Sequence, residues 1–183
     1  PTFAWRLLQA LTAYARAKPL RSVISLTTNG IWSAHQREWI FANVDRIGVS
    51  MDGAPGTQDR QRPLISGGAS SPVVMRNLAE MDRRGIRYGI RMTAAAPWER
   101  LPEDVAFICR ETGAQAIQVE PAFNTERGQH HEPPESEWRA FADAYLQARE
   151  IARSQHRRLH YSGARAGQAA AVFCTAPFDA LIV

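Results

Sequence analysis

The stretch Arg46-Ile47-Gly48-Val49-Ser50-Met51-Asp52-Gly53 combines a strand-forming apolar run with a turn signal at its end. The same order occurs upstream, where Ser22-Val23-Ile24-Ser25-Leu26 ends in the polar turn Thr27-Thr28-Asn29-Gly30. A helical pattern separates the two strands, because Ser33 can cap a helix that runs to about Val44. Strand, helix and strand in this order predict a βαβ unit, and therefore parallel strands in a sheet that helices cover.

The unit recurs along the rest of the chain. Ser71-Pro72 places proline at the first position of a helix that ends at Gly85, and Gly113 is a candidate C-cap. Further strands are predicted at 86–93 and 116–120, further helices at 3–17, 102–112 and 135–155, and loops at 53–71 and 121–133. The predicted fold class is α/β with four parallel strands.

The composition is that of a globular protein, with 183 residues of which 45% are hydrophobic and 22% charged. No apolar stretch reaches the roughly 18 residues that a membrane-spanning helix needs, so we expect no membrane segment. The net charge is +4, but the arginines lie beside acidic residues along predicted helices, so no nucleic-acid surface is predicted. Two cysteines are too few for a disulfide framework and indicate a reducing, cytoplasmic compartment.

Polar residues follow the four predicted strands. The strand ends are Thr27-Thr28-Asn29, Ser50-Met51-Asp52, Arg91-Met92-Thr93 and Glu120. Parallel α/β sheets place their chemistry at the carboxyl ends of the strands, so these residues predict a ligand site along one rim. The alternative is that strand ends simply need turn residues. No dinucleotide or P-loop glycine motif is present.

Arg91, Cys109 and two adjacent histidines are further candidates for a functional role. Arg91 alternates with apolar neighbours in its strand, so it either forms an internal salt bridge or meets an anionic ligand. Cys109 lies in an apolar helical stretch and is expected to be a small buried residue. His130 and His131 are adjacent in a polar loop, where they point in different directions and make poor metal ligands.

The ordered set of these motifs resembles the radical S-adenosylmethionine (radical SAM) family. The set comprises the Thr28-Asn29-Gly30 turn, the strand ending in Val49-Ser50-Met51-Asp52-Gly53, and the downstream Asp59-Arg60-Gln61-Arg62. Later segments continue the resemblance, which covers about residues 20 to 183. Within the family, the chain resembles SPASM-domain maturases that modify peptides or proteins, similar to anaerobic sulfatase maturases. These segments are Gln118-Val119-Glu120-Pro121, Glu126-Arg127-Gly128, Tyr161-Ser162-Gly163-Ala164-Arg165 and Phe173-Cys174-Thr175-Ala176-Pro177-Phe178.

The resemblance implies a partial (β/α)6 TIM-like barrel that lacks the first strands. It also implies S-adenosylmethionine across the strand ends, beside a four-iron four-sulfur cluster that reduces the cofactor so that it abstracts hydrogen from the substrate. Carried over by position, Thr28 and Asn29 would lie near ribose or methionine, and Ser50 would hydrogen-bond the methionine carboxylate or ribose. Arg62 would pair with that carboxylate through its planar guanidinium fork. Asp52 would contact ribose or substrate, and the remaining candidates, Arg91, Thr93 and Glu120, would contact cofactor or peptide.

The resemblance divides the chain into a partial barrel at residues 1–157 and the start of a SPASM-type region at 158–183. Within the second part, Cys174 would be a ligand of an auxiliary iron–sulfur cluster. Pro1 and the unfinished strand-like run at Leu181-Ile182-Val183 indicate a piece of a longer protein. The family's CxxxCxxC motif would precede Pro1, so we expect that this chain alone does not cleave S-adenosylmethionine.

The resemblance predicts a peptide or protein substrate and an external electron donor. Two alternatives are open: a cluster-free α/β-barrel enzyme of aldolase or hydrolase type that uses Glu120 or Arg91, and a non-catalytic module that binds a peptide. Neither the substrate nor the bond that is changed follows from the residues.

Overall fold

A single parallel sheet organises the computed structural model, which describes residues 3–122 and 133–163. The strands of the described part are β1 (Ser25–Thr28), β2 (Arg46–Ser50), β3 (Tyr88–Ala95), β4 (Ala116–Ala122) and β5 (Arg158–Tyr161). They are ordered β1-β2-β3-β4-β5, and every neighbouring pair is parallel. The α/β class and the parallel pairing predicted from the sequence are confirmed, and the described residues contain one strand more than the four predicted.

Helices connect the strands. They are α1 (Phe3–Arg16), α2 (Ala34–Asn43), α3 (Pro55–Gln61), α4 (Ser71–Arg83), α5 (Leu101–Glu111) and α6 (Glu135–Ser154), with a 3₁₀ turn at Trp98–Arg100. Ser33 caps α2 as predicted, because its side chain accepts from the Gln36 amide while the Gln36 side chain accepts from the Ser33 amide. None of the helices in the described ranges is long and apolar enough to cross a membrane.

The two faces of the sheet have opposite character. Val49, Ile90, Ile117 and Leu159 are neighbours in register and are 0–7% exposed. They pack in one core with buried helix residues, among them Ile40, Val74, Ile108 and Ala148. The next row along the strands is Ser50, Arg91, Gln118 and His160, which is polar and at least partly exposed. Because successive side chains alternate between faces, the helices cover one face and leave the other polar.

Three local predictions were wrong. The segment 53–71, predicted as a loop, contains α3, whose Pro55 stands in the first turn. Gly113 is not a left-handed C-cap, since Thr112 ends α5 in an extended conformation. The first strand lies at Ser25–Thr28, later than the predicted 22–26, and therefore includes Thr27 and Thr28.

Candidate functional site: the polar face of the sheet

The candidate site is the polar face near the carboxyl ends of β2, β3 and β4. Ser50 pairs in register with Arg91. Thr93, two residues further along β3 and therefore on the same face, pairs with Glu120. The Gln118 amide donates to Glu120 Oε1 at 2.8 Å, which orients this carboxylate on the face. Four predicted site residues therefore share one surface, as the strand-end prediction requires.

Arg91 lies at the centre of the polar face. A Cβ added at Gly48 would be 3.7 Å from Arg91 Cδ, so the arginine stem lies beside a residue without a side chain. Among the described residues, the Arg91 guanidinium has neither an ion pair nor a hydrogen bond. The sequence allowed either an internal salt bridge or an anionic ligand for Arg91. The salt bridge is excluded within the described ranges, so Arg91 is available to bind an anion.

Asp52, Arg62 and Thr93 form a closed network above this surface. Asp52 is 2% exposed, its Oδ2 accepts from Arg62 Nε at 2.7 Å, and its Oδ1 accepts from the Thr93 amide at 2.8 Å. Arg62 Nη2 donates to Thr93 Oγ1 at 3.1 Å, and the Asp52 amide donates to the buried Gln58 side chain. Both Asp52 oxygens are thus occupied, so this residue holds the β2–α3 turn against β3.

The network changes what Arg62 can offer a ligand. Its Nε and one Nη2 hydrogen are engaged, whereas Nη1 has no partner among the described residues, and the side chain is 34% exposed. Arg62 therefore cannot present the full guanidinium fork that the sequence interpretation assumed. Asp59, in the same predicted motif, accepts from the Ser71 amide and hydroxyl at 2.7 and 2.8 Å and so fixes the start of α4.

Thr28 does not join the polar face. It pairs in register with the buried Val49, and its Oγ1 accepts from Trp32 Nε1 at 2.9 Å on the helix-covered side. Asn29 is exposed in the following turn, where its Oδ1 accepts from the Ile31 amide at 3.1 Å. The expectation that all four strand ends contribute to one surface is wrong for Thr28. A four-residue strand is too short for the sequence to show which of its residues face which side of the sheet.

Sequence reasoning assigned Thr28, and not Thr27, to the cofactor, and it missed Gln118 and Asp104 as site residues. Thr27 is next to Gly48 in register, and Gln118 is next to Arg91, so both lie on the polar face. The signal for Gln118 is the alternation Ile117-Gln118-Val119-Glu120, which places the two polar residues on one side. Asp104 gives no local signal, because its partners Ala54 and Thr57 are distant in the chain.

Asp104 supports the turn after β2 from below. It is 5% exposed, its Oδ1 accepts from the Ala54 amide at 2.8 Å, and its Oδ2 accepts from Thr57 Oγ1 at 2.9 Å. Two hydrogen bonds do not offset the loss of hydration, so burial raises the pKa of the Asp104 carboxyl above its ordinary value.

We expect the raised pKa of Asp104 to make stability depend on pH. In the folded chain the proton is held more tightly than in the unfolded chain, so the free energy of unfolding should fall as pH rises from the ordinary value of 3.8 through the raised folded pKa. Asp104→Asn keeps an acceptor for Ala54 and should remove this pH dependence. Urea denaturation from acid to neutral pH measures it, with Asp143→Asn at an exposed position of α6 as control. Parallel pH profiles for wild type and Asp104→Asn would contradict the assignment.

The described residues contain no cluster of three or more histidine, cysteine or acidic side chains that could hold a metal. Cys109 is a free thiol, 5% exposed in α5, and burial raises its pKa, as expected of a packing residue. Cys174, His130 and His131 lie outside the described residues.

Parallel α/β sheets bind ligands at the carboxyl ends of their strands, which is where Ser50, Thr93 and Glu120 lie. No protein-family model and no curated protein matches the chain in sequence. Its fold does match solved structures of anSMEcpe, an anaerobic sulfatase-maturating enzyme of the radical SAM class.

The likeness extends over most of the described chain. The structure of hexahistidine-tagged anSMEcpe with bound AdoMet has a TM-score of 0.68 at 14% identity and covers 88% of this chain and 44% of its own. Native anSMEcpe with bound AdoMet and a Kp18Cys peptide has a TM-score of 0.66 at 15% identity, covering 85% and 45%. At this identity the likeness establishes the fold, and the chain spans less than half of the length of these proteins.

Proposed function

We propose that the chain is part of a radical SAM enzyme whose parent protein cleaves S-adenosylmethionine to abstract hydrogen from a peptide or protein. The observation that carries the proposal is the polar face, which combines Ser50, an open Arg91 and Glu120 on a fold shared with a protein solved with AdoMet bound. The sequence motifs point independently to the same family.

The residues of the polar face suit the methionine end of AdoMet, which carries a carboxylate and an ammonium group. Arg91, with Nη1 of Arg62, would bind the carboxylate, and the Ser50 hydroxyl would add a hydrogen bond. Glu120 carries the charge that an ammonium group needs. Asp52 and Thr93 would act by fixing Arg62, because Asp52 Oδ2 and Thr93 Oγ1 both accept hydrogen bonds from its guanidinium. When bound, AdoMet would supply the hydrogen abstraction.

The iron–sulfur cluster has no matching ligand set in the described residues. A four-iron cluster is held by cysteine thiolates, and the one cysteine of the described ranges, Cys109, is buried in α5. Because the full sequence has two cysteines, we propose that the thiolates of this cluster come from outside this chain. An auxiliary cluster at Cys174, in a SPASM-type region from residue 158, stays part of the proposal.

A peptide substrate agrees with two of the matched structures, which contain Kp18Cys and Cp18Cys peptides with AdoMet. For this chain, the polar face would present hydrogen-bonding groups to such a substrate next to the cofactor. An external electron donor follows from the proposed chemistry, because the sulfonium must be reduced.

Binding of AdoMet to the chain tests the proposal. We expect AdoMet to shift the backbone amide NMR signals of Ser50, Arg91, Thr93 and Glu120. Arg91→Gln should weaken binding by about tenfold or more, because a charge-assisted hydrogen bond contributes roughly 1.5–3 kcal/mol. Arg76→Gln, which removes an arginine from α4 outside the polar face, is the matched control.

Equal affinities for Arg91→Gln and wild type, or shifts confined to other surfaces, would contradict this site. A folded chain that does not bind AdoMet would overturn the proposal. It would favour a cluster-free α/β enzyme or a peptide-binding module instead.

A further inference from the structure

A second polar site lies at strand β5, beside the end of α6. A cleft of about 600 Å³ is lined by Arg149, Arg153, Arg157, Arg158, Leu159 and His160. Arg158 begins β5 and pairs with Ala116 at the start of β4, so the cleft is at the amino ends of the strands. The residues proposed for AdoMet lie nearer the carboxyl ends of β2, β3 and β4, and His160 is the one residue of the cleft that belongs to the same register row as Arg91.

The end of α6 and the following turn assemble these arginines. Arg149 and Arg153 are four residues apart and therefore lie on the same side of the helix, about 6 Å apart along its axis. His156 adopts a left-handed conformation with φ 57°, and the Arg157 amide donates back to Ala152 O at 2.8 Å. The chain thus reverses at once and brings Arg157 and Arg158 beside the helical pair.

The positive charge of the cleft is poorly compensated. Glu150 approaches Arg153 at 3.7 Å, whereas the guanidinium groups of Arg149 and Arg158 have no partner within residues 3–122 and 133–163. Arg157 donates to the carbonyls of Thr112 and Gly113, but its Nε is buried without a hydrogen-bond partner among the described residues. Like charges at this spacing repel, and a buried donor without a partner is destabilising.

An oxyanion in the cleft would relieve the repulsion between the arginines. Guanidinium groups bind phosphate and carboxylate oxygens through paired hydrogen bonds, and four arginines line this one cleft. The volume falls within the range of small-molecule sites, and Leu159 is the one apolar residue of the lining. We infer that this cleft binds a small molecule with two or more oxyanion groups. The inference does not depend on the proposed radical SAM function.

Calorimetric titration of the chain with tripolyphosphate and with citrate, at physiological ionic strength, tests the inference and separates phosphate from carboxylate ligands. We expect at least one of them to bind, and Arg149→Gln/Arg153→Gln to weaken that binding by about tenfold or more. The matched control is Arg76→Gln/Arg139→Gln, which removes the same charge from positions of α4 and α6 outside the cleft. It should change the affinity by less than about threefold.

Absence of binding by wild type at millimolar concentrations of both anions would overturn the inference. So would an equal loss of affinity in the two double variants, because binding would then reflect net charge alone. Arg158→Gln provides a second disruption that leaves α6 intact, and thermal unfolding of each variant verifies the fold. AdoMet binding should be the same in all of them.

Discussion

Replacement of Gly53 by alanine is expected to lower the free energy of unfolding by about 3 kcal/mol or more. Gly53 has φ 140°, a backbone conformation that side-chain-bearing residues rarely adopt. An added Cβ would also overlap the carboxylate of Asp104, which cannot move away without losing its bonds to Ala54 and Thr57. Strain and loss of hydrogen bonds therefore act together.

Gly56→Ala is the matched control for this substitution. Gly56 lies in α3, shortly after Gly53, and a Cβ there would meet no atom within 4 Å. Alanine favours helix, so this variant should be neutral or more stable by about 0.5–1 kcal/mol. Urea denaturation of both variants measures the difference. A Gly53→Ala protein within about 1 kcal/mol of wild type would show that the turn after β2 is not held as described.

The second large effect is expected at Asp52. Asp52→Asn should lower the free energy of unfolding by about 2–3 kcal/mol, because it removes one charge of a largely buried ion pair. The amide group would also turn a donor toward either Arg62 Nε or the Thr93 amide, both of which donate to Asp52 in the wild type. The partial exposure of Arg62, 34%, keeps the expected loss below that of a fully buried pair.

Asp143→Asn, at an exposed position of α6, controls for the change in net charge. A double-mutant cycle with Arg62→Gln isolates the pair and should give a coupling energy of about 1 kcal/mol or more. Additive effects of the two substitutions would mean that Asp52 stabilises the turn without help from Arg62.

Local patterns in the sequence predicted much of the fold. The strands β2, β3 and β4 are long enough for their alternation to be clear, and Ser33 and Ser71-Pro72 mark helix starts by capping and by proline geometry. Two elements escaped. The helix α3 is short and rich in residues that are common in loops, and β5 is a four-residue strand in which Leu159 is the only aliphatic residue.

The site was predictable in kind but not in detail. Polar strand ends indicated Ser50, Arg91, Thr93 and Glu120, which the sheet does bring to one face. The sequence could not show that Arg62 is engaged with Asp52 and Thr93, since the Thr93 contact spans 31 residues. Nor could it show that Thr27, and not Thr28, lies on that face, because a shift of one residue in a short strand exchanges the two sides.

Exposed and buried polar groups are separate sets of residues in this sheet, and this separation affects how the ligand preference of such a protein can change in evolution. Asp52 and Asp104 hold the β2–α3 turn from positions that a ligand does not reach, while Arg91 extends from the middle of β3 without supporting any other side chain of the described ranges. If Arg91 binds the ligand as we propose, ligand preference and thermodynamic stability are carried by different residues. Mutations at Arg91 can therefore be sampled by evolution, or by a designer, without first finding compensating changes in the core.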